Sequence, residues 1–304
     1  MSNTNKEWDF ENKNGYQTSC EKIKSVSDFA SCIKSIWNNK WQKGRDNLQK
    51  KYPQYAEEEP PWFRGVCDNT YSLMPGLYWQ FKNENEEQVI MMAEDIREEF
   101  KRRGVFIEQH NRFLEDGEWL QLMQHYGVPT RLLDWTEGAL IALYFSIRMI
   151  VYKKKNKKTT PCVWMLNPSW LNDVTNNTSL PAYLNESAMA KYPNTDAKAR
   201  PYLIEKELPD YPIAIYPMYI DPKMIAQKST FTLHGKIKDS FMELSSKYSR
   251  DAQICNILID LKKTNAIAEE LTMMGITEST IFPDLKSIAN EIRNEKGIDF
   301  SFDR

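Results

Sequence analysis

Histidine is scarce. His110, His125 and His234 are the only three in 304 residues, and no H-x-x-x-H pair occurs. The familiar helical spacing for a transition metal is therefore absent. The five cysteines, Cys20, Cys32, Cys67, Cys162 and Cys255, are odd in number and widely spaced, with no C-x-x-C. They fit neither a disulfide framework nor a thiolate zinc site, and a reducing cytoplasm is the expected setting. Long hydrophobic runs are missing too. The longest apolar stretch, Ala139 to Tyr152, contains Arg148 and is shorter than the ~20 residues a membrane span needs. The polar start MSNTNKEWDF is not that of a secretory signal. Charge of one sign is also lacking: 40 Lys and Arg against 42 Asp and Glu leave −2, so no global field draws the chain to nucleic acid. No internal repeat of roughly 20–50 residues is visible.

What is present is the composition of a folded chain. Hydrophobic residues make up 41% and aromatics 12%, too much apolar surface for general disorder. The length allows one large domain or two modest ones. The first stretch of about twenty residues is polar and reads as loose. Ser27 is positioned to cap a helix over residues 28–38. Residues 43–55 are charged and run into an acidic, proline-stopped loop, Glu57-Glu58-Glu59-Pro60-Pro61. A short strand follows at residues 62–67. Helical spacing predicts helices over 86–103, ended by Gly104, and over 118–126, stopped by Gly127 and Pro129. Asp134 and Glu137 resemble a capping box that opens a third, apolar helix running to about Tyr152. Lys153 to Lys158 reads as a solvated basic loop.

The second half changes period. Residues 162–166, 213–220, 229–233 and 253–259 are short and β-branched, as strands are. Residues 167–209 are polar and broken by prolines, a loop long enough to be functional or mobile. Helices are predicted over 265–274 and 284–294. Early helices and late strands predict an α+β architecture: one main domain, with helices of the first half packed on a mostly antiparallel sheet formed largely by the second half.

Four segments concentrate chemistry. Trp62-Phe63-Arg64-Gly65 sets a guanidinium fork on a strand whose glycine permits close backbone approach. Gln124 to Thr136 holds an imidazole, a phenol, hydroxyls, a guanidinium and a carboxylate around a Gly-x-Pro turn. If a helix opened near Asp134, Thr130 and Arg131 would stand before its N-terminus, where anions are attracted. In Gln227 to Gly235, alternation puts Thr230, Thr232 and His234 on one face. In Gly275 to Leu285, Pro283 and Asp284 open a helix in the ordinary way.

Together these segments resemble the FRG domain family, named for its aromatic-Arg-Gly motif, here Phe63-Arg64-Gly65. Leu73-x-Pro75, the run HYGVPTRLLDWT over 125–136, Ala142-Leu143-Tyr144-Phe145, Gln227 with Phe231 to Gly235, and Gly275-Ile276 with Phe282 to Leu285 are similar to its successive blocks. Two positions depart from the pattern: Lys223 stands where the family has Arg, and Ser229 where it has Gly. The resemblance implies an FRG-like domain over 60–290, with 167–209 as a long insertion, 1–59 as an N-terminal helical and loop extension, and 291–304 as a helix end and tail. It also implies a bacterial or phage-associated setting, in defence or toxin systems.

Two functions of different class are expected from it. One is an ADP-ribosyltransferase-like transferase with NAD as candidate substrate. Arg64 and Arg131 then hold the pyrophosphate, Tyr126 stacks on nicotinamide, and His125 or His234 holds a ribose hydroxyl. Asp134, or Glu278 second, stabilises the oxocarbenium-like transition state. Thr130 and Gln227 complete the ligand contacts. The other is a non-catalytic sensor of a nucleotide or a nucleic-acid end that uses Arg64, His125, Thr130, Arg131 and His234. Candidate partners are a nucleotide-like small molecule and a protein or nucleic-acid target; no membrane and no metal are expected.

Overall fold

Cys162–Leu166 is buried at every position and forms β5, well inside a nine-stranded sheet. A strand buried on both faces reads as a continuous apolar run. The computed structural model describes residues 8–13, 15–54, 59–105, 114–152, 159–183 and 208–298. The sheet order is β1 (Phe10–Lys13), β2 (Tyr16–Ser19), β9 (Ile254–Leu258), β5, β3 (Trp62–Val66), β4 (Leu132–Thr136), β8 (Ser229–Leu233), β7 (Ile213–Tyr216) and β6 (Ala182–Tyr183). The pairs β2–β9 and β6–β7 are parallel and the rest antiparallel. Helices cover both faces, and the fold is α+β.

The pleat sorts side chains to the two faces. On one, Phe63, Val163, Met165, Cys255 and Ile257 meet α1 (Val26–Ser35), α6 (Ala139–Val151) and α10 (Thr264–Met273). On the other, Trp62, Trp164, Leu166, Trp135 and Ile254 meet α7 (Pro168–Asn176) and α9 (Ser240–Tyr248). Gly65 lies against α6: a Cβ there would stand 1.8 Å from the Ala142 carbonyl oxygen. The glycine of the Phe-Arg-Gly motif is thus the residue that lets α6 settle on β3. At the far end, Leu132, Ile213, Ile215, Phe231 and Leu233 form a smaller core with Leu120 of α5 (Asp116–His125) and Met224 of α8 (Pro222–Ala226).

Several expectations are corrected. In the polar N-terminal stretch, residues 10–13 and 16–19 are antiparallel strands joined to the sheet through β9. Ser25, not Ser27, caps α1 by accepting from the Asp28 N–H. The charged stretch after Trp41 is α2 (Gln42–Lys51). Of the long polar segment 167–209, the described part holds α7, capped by Asn167, with Trp170 and Leu171 buried. Residues 184–207 of that segment, Glu57 and Glu58 of the acidic loop, and the basic loop 153–158 lie outside the described residues. Asp134 caps nothing. It lies within β4, and α6 starts at Ala139 with Gly138 as N-cap. The Asp-x-x-Glu spacing coincides with a capping box, but Leu132, Leu133 and Trp135 are buried and hold the segment extended between β3 and β8.

Candidate functional site

The run HYGVPT builds a corner. Helix α5 ends with the Val128 N–H on the Met123 carbonyl (2.9 Å) and the Gly127 N–H on the Gln124 carbonyl (3.1 Å). Gly127 takes the left-handed conformation this ending requires, at φ +76°. Pro129 forbids further helix. Thr130 then accepts the Leu132 N–H on its hydroxyl at 3.0 Å, and β4 begins.

Strands β3 and β4 are neighbours that share a single pair, Phe63 with Thr136, whereas β3 forms a five-pair ladder with β5 and β4 one with β8. Arg64 occupies the gap that this short pairing leaves. Its Nη1 donates to the Asp134 carbonyl at 2.7 Å and stands 3.7 Å from Asp134 Oδ2. Gln124 Nε2 donates to the same Oδ2 at 2.9 Å, and Thr130 Oγ1 donates to Gln124 Oε1 at 2.6 Å. The chain of contacts Thr130–Gln124–Asp134–Arg64 therefore fixes both charged groups. The Asp134 side chain is 56% exposed and that of Arg64 26%. One N–H donor of the fork is spent on that carbonyl, and about a quarter of the side chain reaches the surface. Burial lowers the Arg64 pKa and the Asp134 charge opposes this; a guanidinium stays charged regardless.

Behind it lies a buried polar layer. Arg131 Nη1 donates to the His234 carbonyl at 3.0 Å, and the His234 N–H donates to the Arg131 carbonyl at 3.0 Å. The His234 ring is fully buried between Thr232 Oγ1 (3.1 Å from Nε2) and Ser240 Oγ (3.3 Å from Nδ1). Burial, then the Arg131 and Arg64 charges, push its pKa down to about 3, so the ring is neutral in the fold. Trp135 Nε1 donates to Thr232, and the Tyr78 hydroxyl donates to the Gly235 carbonyl. Arg131 is 3% exposed. Arg64, Arg131 and His234 thus gather at one place, with Arg64 partly exposed and the other two in the interior.

The remaining candidates lie elsewhere. His125 Nε2 stands 3.2 Å from Oδ2 of Asp221, which also caps α8. Tyr126 is 70% exposed and helps line, with Trp119, Phe100 and Ile96, a cavity of about 1080 Å³ beside α5 and α4 (Glu86–Gly104). Gln227 donates to the Ile281 carbonyl at 3.3 Å, and its own carbonyl accepts from Thr136. Glu278 is held by Arg148 Nη2 at 3.1 Å. Lys223, the departure from the family pattern, pairs with Asp284 at 3.1 Å. The expected helix N-terminus beside Thr130 and Arg131 is not there, because β4 follows them. Gln124 is the residue that sequence reasoning did not single out. It stands at the head of the dense run, but nothing in its type marks it as the clamp on Asp134. Among the described residues, no group of three or more His, Cys, Asp or Glu has a metal-binding arrangement. No helix of the described residues is long and apolar enough to cross a membrane.

Residues 59–157 match the family model of the FRG domain. The chain carries an FRG domain. The match opens just before β3 and closes just after α6, so it contains Arg64, Gly65 and the whole run from His125 to Thr136. The Arg64–Asp134 gap therefore lies within the FRG domain, while Gln227, His234 and Glu278 lie beyond the matched residues. No curated protein and no solved structure matches the chain.

Proposed function

We propose that the FRG domain binds a phosphate-bearing ligand, such as NAD or another nucleotide, at the gap between β3 and β4, in the manner of an ADP-ribosyltransferase. The observation that carries this reading is the Arg64 guanidinium, anchored through one donor to the Asp134 carbonyl and partly exposed at the gap. A fork fixed in this way is pre-organised for a phosphate. Asp134 supplies a carboxylate beside it, oriented by Gln124. In a transferase that carboxylate stabilises positive charge as the glycosidic bond to nicotinamide breaks. Arg131 and His234 support the site from within rather than touching the ligand, and the setting is that of bacterial or phage defence.

One observation favours the sensor reading instead. Glu278, the second candidate acid, is already neutralised by Arg148, which leaves Asp134 without a partner acid. The test is incubation of the purified chain with NAD, following nicotinamide release and nucleotide binding together. Turnover that Arg64→Ala abolishes supports the transferase; binding without product that Arg64→Ala also abolishes supports the sensor. Nucleotide binding that is absent, or unchanged in Arg64→Ala, overturns both.

A further inference from the structure

A second cavity, of about 210 Å³, lies on the Arg64 face of the sheet. The register places it: Arg64 pairs with Trp164, Trp164 with Asn256 and Asn256 with Thr18. Paired residues share a face, so Asn256 stands two strands and Thr18 three strands from Arg64. Trp164 is buried between them, in edge contact with Tyr16 at 4.7 Å. The Arg64 fork turns the other way, toward β4. The cavity has room for about seven water molecules, enough for a small ligand and too little for a nucleotide.

Its lining is rich in acceptors. Asp239 Oδ1 receives the Tyr16 hydroxyl at 3.0 Å and the Ser72 hydroxyl at 2.8 Å. Both hydroxyls spend their proton on the carboxylate, and the Tyr16 oxygen is itself approached by the Leu73 N–H and by Ser72. Asp239 is also the N-cap residue of α9, yet its side chain forgoes the cap. An aspartate at that position ordinarily accepts a helix N–H; here it is held in the cavity instead. Lys13, at the rim, is engaged by Glu11, and among the described residues no cation pairs with Asp239. Asn256 adds an independent sign. It is 97% buried (3% exposed), lines the cavity, and its Oδ1 has no hydrogen-bond partner. A buried acceptor left unpaired costs about 1–3 kcal/mol.

We propose that this cavity binds the head of a small organic cation bearing N–H donors, an alkylammonium or alkylguanidinium, between Asp239 and Asn256. Such a group neutralises the carboxylate, and a small shift of the Asn256 side chain, whose amide oxygen is now sealed from the cavity, gives that oxygen its donor. The proposal does not rest on the nucleotide reading of the β3–β4 gap.

Isothermal titration of the full chain with n-butylamine, n-butylguanidine and uncharged butan-1-ol tests it. The expected result is saturable binding of at least one cation, about tenfold or more tighter than the alcohol. Asp239→Asn, which keeps the size and removes the charge, weakens it by a similar factor, as does Asn256→Leu, which removes the amide. Arg64→Ala leaves cation binding in place. Equal affinity for cation and alcohol, no binding of either cation at millimolar concentration, or wild-type affinity in folded Asp239→Asn or Asn256→Leu overturns the proposal. Should Asp239→Asn fail to fold, the cation-to-alcohol ratio of the unaltered chain still decides.

Discussion

Arg64 donates to the main-chain carbonyl of Asp134 at 2.7 Å, while the Asp134 carboxylate stands 3.7 Å away and takes its closer hydrogen bond from Gln124. The guanidinium thus joins two strands that pair at one position, and it is partly exposed at the gap. Arg64→Lys keeps the charge but loses the fork. We expect unfolding free energy to fall by about 1–2 kcal/mol and nucleotide affinity to fall about tenfold or more. Urea denaturation and NAD titration read the two separately. A stability loss with unchanged affinity would reduce Arg64 to a strand clamp.

Gly65→Ala is expected to be far worse than its size suggests. The new methyl would meet the Ala142 carbonyl oxygen at 1.8 Å and the Ser146 nitrogen at 2.6 Å, both main-chain atoms of α6. Backbone cannot swing aside as a side chain can, so α6 must lift from β3. The cost is about 3 kcal/mol or more. Gly76→Ala is the control, since nothing lies within 4 Å of its added Cβ. A melting temperature for Gly65→Ala close to that of Gly76→Ala would contradict the packing described.

His234 gives the fold a pH dependence of definite sign. Its ordinary pKa is 6.5 and its folded value about 3, lowered by burial and by Arg131 and Arg64. Between those values the unfolded chain binds a proton that the folded chain refuses. Stability from this group is complete above about pH 6.5 and drains away as pH falls toward 3. The full loss is up to roughly 5 kcal/mol. His234→Gln removes the titration, so its stability curve should run flatter and approach the wild-type curve in acid. Parallel curves from pH 4 to pH 7 would rule out a neutral buried imidazole.

How much of this was legible depended on periodicity. The α+β architecture, β5, β8, α4 and the apolar α6 all carry their pattern in consecutive residues. Strand β4 does not: Leu132 and Leu133 are both buried, on opposite faces, so no alternation is visible, and Asp134-x-x-Glu137 mimics a cap. Strand β1 is polar because it is the edge; β2 is buried but built of Gln17, Thr18 and Ser19, and it exists through tertiary pairing with β9. Of Arg64, His125, Arg131 and His234, expected together, the structure brings Arg64, Arg131 and His234 near one another, while His125 pairs with Asp221. Which of them faces solvent was not legible, because depth depends on how α9 and Tyr78 cover the sheet.

Glu278 separates a structural acid from a functional one. Its carboxylate holds Arg148 at 3.1 Å, and that guanidinium also lies over the Phe282 ring at 4.3 Å. With the two side chains 14% and 24% exposed, Glu278→Gln should cost about 1–2 kcal/mol after allowance for solvent screening. In a chain of this size that lowers the melting temperature by several degrees. Nucleotide binding and any nicotinamide release should stay as in the wild type. A large loss of release at unchanged stability would return Glu278 to the chemistry.

Asp134→Asn distinguishes the two functional readings by the direction of its effect. The side chain is 56% exposed and makes no buried contact, so stability should change by no more than about 0.5 kcal/mol. If Asp134 stabilises an oxocarbenium-like transition state, replacing it lowers kcat for nicotinamide release by about 10²–10³, the scale for one electrostatic group in an active site. If the gap is a sensor, there is no release to lose, and the carboxylate beside Arg64 only repels the incoming phosphate. Its removal then tightens nucleotide binding. Affinity and product measured on the same pair of proteins give opposite signs for the two cases, and an unchanged value of both would place the ligand away from β4.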